Sequence, residues 1–177
     1  MAVLAIRTFG DPTLRQRARE VDKVTKAHRQ LVKDMMDTMR EAPGVGLAGP
    51  QIGVLERVFV YEVEDDVGAL FNPRIVERST ETLTEEEGCL SLPGLAYDVE
   101  RAQSVRLEGI DERGRSVTIE ATDLLARVFQ HEIDHLDGVL FVDHLDEEAK
   151  REAMRELTRR VLGLPGLAAP VPLEERL

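Results

Sequence analysis

The sequence predicts an α+β domain in which antiparallel sheets pack around a central helix. Three observations carry this. Strand-like segments cluster between residues 57 and 121, and long helical patterns stand before and after them. Helices and strands do not alternate one for one, which argues against a doubly wound parallel sheet. The pattern over residues 123–136 is apolar around much of the helix, as expected of a helix buried on several sides.

Taken in order, Asp11-Pro12 reads as an N-cap followed by proline at the first helical position, opening a short turn to about Ala18. Thr25 to about Glu41 reads as a helix, because Ala27, Leu31, Val32, Met35, Met36 and Met39 hold one apolar stripe; Pro43-Gly44 ends it. Residues 44–53 hold four glycines and a proline, which predicts a shaped loop. Residues 57–63 and parts of 70–79, 104–110 and 116–121 read as strands, the last two joined by a hairpin turn at Asp111-Glu-Arg-Gly114. Asp123 caps the next helix, to about Leu136, closed by Gly138. Asp146 begins another to about Leu162, stopped by Gly163 and Pro165. One catalytic domain over 1–163 is expected, with a Pro/Gly-rich tail over 164–177.

The chain has 177 residues, 42% hydrophobic and 32% charged, which suits one soluble domain with its own core. Its net charge of −11 argues against general binding to DNA or to anionic membranes. The apolar start is interrupted by Arg7, too early for a secretory or membrane-spanning segment, so the cytoplasm is the expected location. A lone cysteine excludes an internal disulfide framework and fits a reducing compartment.

His131-Glu132-Ile133-Asp134-His135 is the most informative stretch. Histidines four apart share one face of a helix, so both imidazoles reach one metal ion. Glu132 lies about 100° further round. It is misplaced for a third ligand but placed to act as a base on a water at the metal. The bland reading is a chance pair on an amphipathic helix. Against it, two histidines and two acids on a buried helix need partners, and a metal satisfies several at once.

An open catalytic site needs a third protein ligand. Phe141 stands where the extended zinc-protease pattern has a histidine. Glu152 and Glu156 alternate with Lys150, Arg151 and Arg155, and read better as ion pairs along a helix surface. His144 lies in a loop and reads as a surface histidine. That leaves Cys89, in Glu87-Gly-Cys-Leu-Ser-Leu-Pro-Gly94, where Gly88 permits close approach. A lone cysteine is more often a small buried hydrophobe. Beside a cation, however, its thiol is deprotonated, and Cys/His/His leaves one tetrahedral position for water. The glycine-rich segment has no Gly-Lys-Ser/Thr and follows a helix, so it is not a phosphate loop. Its useful polar group is Gln51, whose amide can donate to a developing oxyanion; on this segment alone, a solvated glutamine is the simpler reading.

Gly44–Gln51, Glu87–Ser91 and His131–His135 together resemble the three signature motifs of peptide deformylases, in order: G-x-G-x-A-A-x-Q, E-G-C-L-S and H-E-x-D-H. The second and third match at every specified position, and the first departs only at Gly49, where the family has alanine. Asp11-Pro-x-Leu-Arg15 and the run from His135 to Phe141 are also family-like, so the resemblance covers about residues 5–145. The chain is similar to the compact bacterial type.

The resemblance implies a metal-dependent hydrolase that removes the formyl group from N-formylmethionyl nascent polypeptides, releasing formate. It implies Cys89, His131 and His135 as ligands of one divalent metal, ferrous iron in the cell, with Zn2+ or Ni2+ as replacements. Glu132 would take the proton of the attacking water and pass it to the leaving amine. The Gln51 amide and Leu90 N–H would hold the carbonyl oxygen, and Gly46 would meet the substrate through its backbone. Val45, Leu47, Leu90, Leu92, Val128 and Phe129 are candidates for the methionine slot. Arg101 is a candidate partner of Glu87 or Asp134. Some bacterial relatives dock a basic C-terminal helix on the ribosome. Residues 146–162 here hold acids and bases in equal number, which fits transient ribosome proximity rather than a stable complex. If the 44–53 loop follows the family path, Gly49→Ala should stabilise the protein by roughly 0.4–1 kcal/mol. The rival readings are another metal-dependent amide hydrolase, such as a peptidase, and an inactive metal-binding paralogue.

Overall fold

A computed structural model describes residues 2–164; apart from Leu164, the expected tail lies outside them. Pro12–Arg15 forms a 3-10 turn, with the Asp11 carboxylate accepting from the Thr13 N–H (2.9 Å). The turn stops short of Ala18 because distant partners take the following backbone. The Ala18 N–H donates to the Leu136 carbonyl (2.8 Å), and Arg19 bridges to Glu56. Helix α1 (Lys26–Glu41) starts at Thr25, where the Thr25 hydroxyl and the His28 ring each accept from the other residue's backbone N–H. Its buried Val32, Met35 and Met39 share a core with Val58, Val60 and Phe71.

The 44–53 segment is more regular than a loop. Gly46–Ala48 forms strand β1, and Gly49–Ile52 forms a 3-10 turn. β1 pairs antiparallel with β2 (Val58–Val63), Gly46 opposite Tyr61. Gly-Leu-Ala is buried throughout, so it lacks the alternation that marks a strand in sequence. β3 (Asp66–Arg78) returns from β2 and begins before the expected residue 70. β4 (Thr82–Gly88) and β5 (Ala96–Ala102) then pair with each other as a separate ribbon. This ribbon has no counterpart in the sequence expectation, since consecutive glutamates at 85–87 have low strand propensity. β6 (Ser104–Ile110) and β7 (Ser116–Thr122) form the expected hairpin, and the Asp111 carboxylate accepts from the Arg113 and Arg115 N–H groups (both 2.9 Å). The larger sheet runs β1-β2-β3-β6-β7, antiparallel throughout.

Helix α2 (Asp123–Leu136) follows β7 directly. Thr122, not Asp123, occupies the cap position, and the Asp123 N–H is drawn to the Gln103 carbonyl (2.8 Å). Phe129 packs on Phe59 and Tyr61 of β2, with ring centroids 5.7 and 4.9 Å away. On another side, Arg127 and Gln130 donate to the Val99 and Ala102 carbonyls of β5 (both 2.9 Å). The helix is therefore held between sheet and ribbon, in the central position expected. A 3-10 turn at Phe141–His144 leads to α3 (Glu147–Val161), whose cap Asp146 accepts from the Glu148 and Ala149 N–H groups. Buried Ala153 and Leu157 of α3 share a core with Leu92, Leu95 and Val99. Among the described residues, no helix is long and apolar enough to cross a membrane.

Gly49 corrects an expectation. A Cβ built there would lie 2.7 Å from the Val54 carbonyl oxygen and 2.8 Å from that of Glu56. Both are backbone atoms, and the Val54 N–H returns a hydrogen bond to the Gly49 carbonyl (2.9 Å), so neither side yields easily. Gly49→Ala should therefore destabilise the protein, by about 1–3 kcal/mol if the strain resembles that of an overpacked core. Thermal unfolding of both metal-loaded proteins checks this. A midpoint equal to or above wild type would show that the segment between Gly53 and β2 moves aside.

Candidate active site

The buried histidines His131 and His135 stack along one face of α2, with Nε2 atoms 3.1 Å apart and rings edge to face. Cys89 comes from the turn just beyond β4, and its Sγ lies 3.2 Å from His135 Nε2. The three donor atoms all lie within 4.8 Å of one another. Among the described residues this is the group able to hold a metal ion. Glu156 is instead engaged with Arg160 (2.7 Å), and His144 bonds Asp134 (2.7 Å). His144 is thus more than a surface histidine, because it helps Arg101 hold an acid of α2.

Glu87 aligns the first histidine. Its Oε1 accepts from His131 Nδ1 (2.6 Å) and Arg101 Nη2 (2.7 Å). Its Oε2 accepts from Arg101 Nε and Arg127 Nη1 (both 3.0 Å). Burial pushes the Glu87 carboxyl up, but the bonds from His131 and Arg101 hold it well below the usual range. A carboxylate on Nδ1 fixes the tautomer that leaves Nε2 free to bind a metal. Arg101 also donates to Asp134 (2.7 Å), so it pairs with both acids proposed for it. Arg127 escapes the sequence reading. It is buried, and besides Glu87 it donates to the Val99 and Leu83 carbonyls (both 2.9 Å), tying both ribbon strands to α2. An arginine among the apolar residues 124–129 of a helix expected to be buried signals a buried acid, and that was the available clue.

Glu132 is buried with its Oε2 unpartnered. Burial, helped by the charges of Glu87 and Asp134, pushes its carboxyl up to about 7 against the pull of His131. A Cβ at Gly46 would overlap this carboxylate, so glycine on β1 is what lets Glu132 face the cavity. Gln51 is also buried, not solvated. Its Oε1 accepts from the Ala48 N–H (2.8 Å), which turns its Nε2 toward Ser91 Oγ (3.2 Å) and Cys89 Sγ (3.7 Å).

The donor set fits a divalent cation. Burial lowers both histidines. Yet the Cys89 sulfur and Glu87 raise His131 well above its ordinary value, and the resulting charge on His131 adds to burial in holding His135 well below. Cys89, Glu87 and Glu132 thus draw positive charge into the centre, and a metal ion between the three donors meets that demand while displacing the proton. A cavity of about 540 Å³ opens beside them, lined by Val45, Gly46, Leu90 and Val128 among others. Leu47, Leu92 and Phe129, expected in its wall, are buried in the cores instead, and Leu95 and Leu124 take their place.

An α+β fold that gathers two helix histidines and a cysteine, with a buried carboxylate beside them at a cavity, is a metallohydrolase in layout. The chain belongs to the polypeptide deformylase family, which it matches over residues 3–151. It is 54% identical to the peptide deformylase of Acidothermus cellulolyticus over 157 residues, 89% of this chain and 87% of that protein. The crystal structure of the Thermus thermophilus peptide deformylase superposes with a TM-score of 0.83 at 45% identity, covering 90% of this chain and 94% of that one. The Ehrlichia chaffeensis peptide deformylase in complex with actinonin gives 0.87 at 36% identity, covering 90% and 98%.

Proposed function

We propose that this chain hydrolyses the N-terminal formyl group of formylmethionyl nascent polypeptides in the cytoplasm, releasing formate and a free amine. Cys89, His131 and His135 hold one divalent metal, ferrous iron in the cell, in a catalytic unit spanning 1–163. The observation that carries this reading is the unpartnered Glu132 oxygen beside three converging metal donors, two of which, Cys89 and His131, line a cavity with apolar walls. When bound, the metal supplies a Lewis acid that polarises the formyl carbonyl and acidifies water. Glu132 takes the water's proton and delivers it to the leaving nitrogen. The Gln51 Nε2–H and the Leu90 backbone N–H donate to the carbonyl oxygen as charge grows on it. Gly46 presents backbone to the substrate, and the apolar walls take the methionine side chain. Acting on nascent chains would bring the protein transiently near the ribosome, without a stable complex.

The test is formate release from formyl-Met-Ala by anaerobically purified protein, with internal peptides as controls and metal analysis of the same sample. Formate release with intact internal peptides is expected, with iron near one equivalent. Cleavage of internal peptide bonds would make the chain a peptidase.

Gln51→Leu should lower kcat by about 10²-fold with little change in KM, because an oxyanion donor acts on charge that develops in the transition state. A rise in KM at unchanged kcat would make Gln51 a ground-state contact.

A further inference from the structure

One wall of the cavity is held from outside, by α3. Pro93, Gly94 and Leu95 line the cavity. Leu95 is buried, while Pro93 and Gly94 are exposed at the mouth. Arg160, in the last turn of α3, donates through its guanidinium to the carbonyl oxygens of Pro93 and Gly94. Glu156, one turn earlier, accepts from Arg160 Nε (2.7 Å) and fixes the direction of the side chain. The fit is close. Gly94 has a φ of +74°, and a Cβ there would fall on Arg160 Nη1. Among the described residues, Arg160 is the donor to both carbonyls.

We propose that Arg160 is a positioning residue for the substrate: it pins the Pro93-Gly94 wall at the cavity mouth and so sets how tightly the formylated chain is held. The proposal rests on the deformylase reading. Arg160 is absent from the cavity lining and from the Cys89/His131/His135 group, so its effect passes through the wall. The lining also includes Val45 and Leu124, 45% and 47% exposed, beside the exposed Glu86, so much of the mouth is apolar. A peptide there is held largely by shape, and a wall free to shift holds it less well.

The test is steady-state kinetics of the full, metal-loaded chain on formyl-Met-Ala and on a longer formylated peptide. Arg160→Met keeps the aliphatic stem and removes both donors. It should raise KM about five- to tenfold, the scale of losing one ordinary hydrogen bond at an exposed site, with kcat and metal content unchanged. Arg160→Lys should recover part of the loss. Gly94→Ala should raise KM in the wild-type background and add less in Arg160→Met, where the obstructing guanidinium is gone. An unchanged KM in Arg160→Met, a loss confined to kcat, or strict additivity of the two substitutions would overturn the proposal. A wild type that releases no formate would instead overturn the deformylase reading, and this proposal with it.

Discussion

Cys89→Ala should leave a folded protein that no longer holds metal. Three donors converge on one point, and without the sulfur only the two imidazoles of α2 remain. A thiolate is also the one anionic ligand of the set, so the loss removes charge as well as a bond. The surrounding turn has reasons of its own to keep its shape. The Leu92 N–H donates to the Cys89 carbonyl (3.0 Å), and Leu92 is fully buried. Elemental analysis after gel filtration should find well under one-tenth equivalent of iron or zinc, with a wild-type circular dichroism spectrum. The unfolding midpoint of the variant should also stop responding to added metal, because a ligand stabilises only the state that binds it. Metal near one equivalent per chain would remove Cys89 from the ligand set.

Local signals made much of this molecule legible. α1 follows from a methionine-rich apolar stripe ended by Pro43-Gly44, and the β6–β7 hairpin from Asp111 to Gly114 between two strand-like segments. The histidine face of α2 is fixed by helical geometry alone, since spacing four permits no other arrangement. What escaped depends on pairing between distant residues. The β4–β5 ribbon looks like solvated charge because Glu85 and Glu86 are exposed, and Glu87 becomes a buried acid only once Tyr97 stands opposite it. A period-2 reading of Leu83, Glu85 and Glu87 against Tyr97, Val99 and Arg101 would have placed Glu87 and Arg101 on one face. The cavity wall was half legible for a similar reason. Leu47 and Phe129 are as apolar as Val45 and Leu124, and only the packing of α1 and β2 decides which pair faces the cavity. Gly49 marks the limit of resemblance. The motif tolerates alanine, but in this chain the carbonyls of Val54 and Glu56 occupy the space a methyl needs.

Glu132→Gln should keep the metal and the fold and lose nearly all turnover, by about 10²–10⁴-fold in kcat, the usual worth of a positioned general base. Glutamine is the better probe here than alanine. It retains the volume that packs against Gly46, so a loss cannot be assigned to a cavity left behind. It removes only the ability to accept and return a proton. Glu132 is one position from His131 and aims between the ligands and β1, so the metal should stay, with content within about one-fifth of wild type. The pH profile gives a second check. Burial holds this carboxyl up at about 7, and a cation alongside would draw it lower. The base form therefore grows as pH rises toward 7, and kcat/KM of the wild type should climb over that range. In Glu132→Gln the residual rate should lose that acid limb. A variant that kept its metal and lost less than about tenfold in kcat, or one that kept the wild-type acid limb, would mean that another group moves the proton.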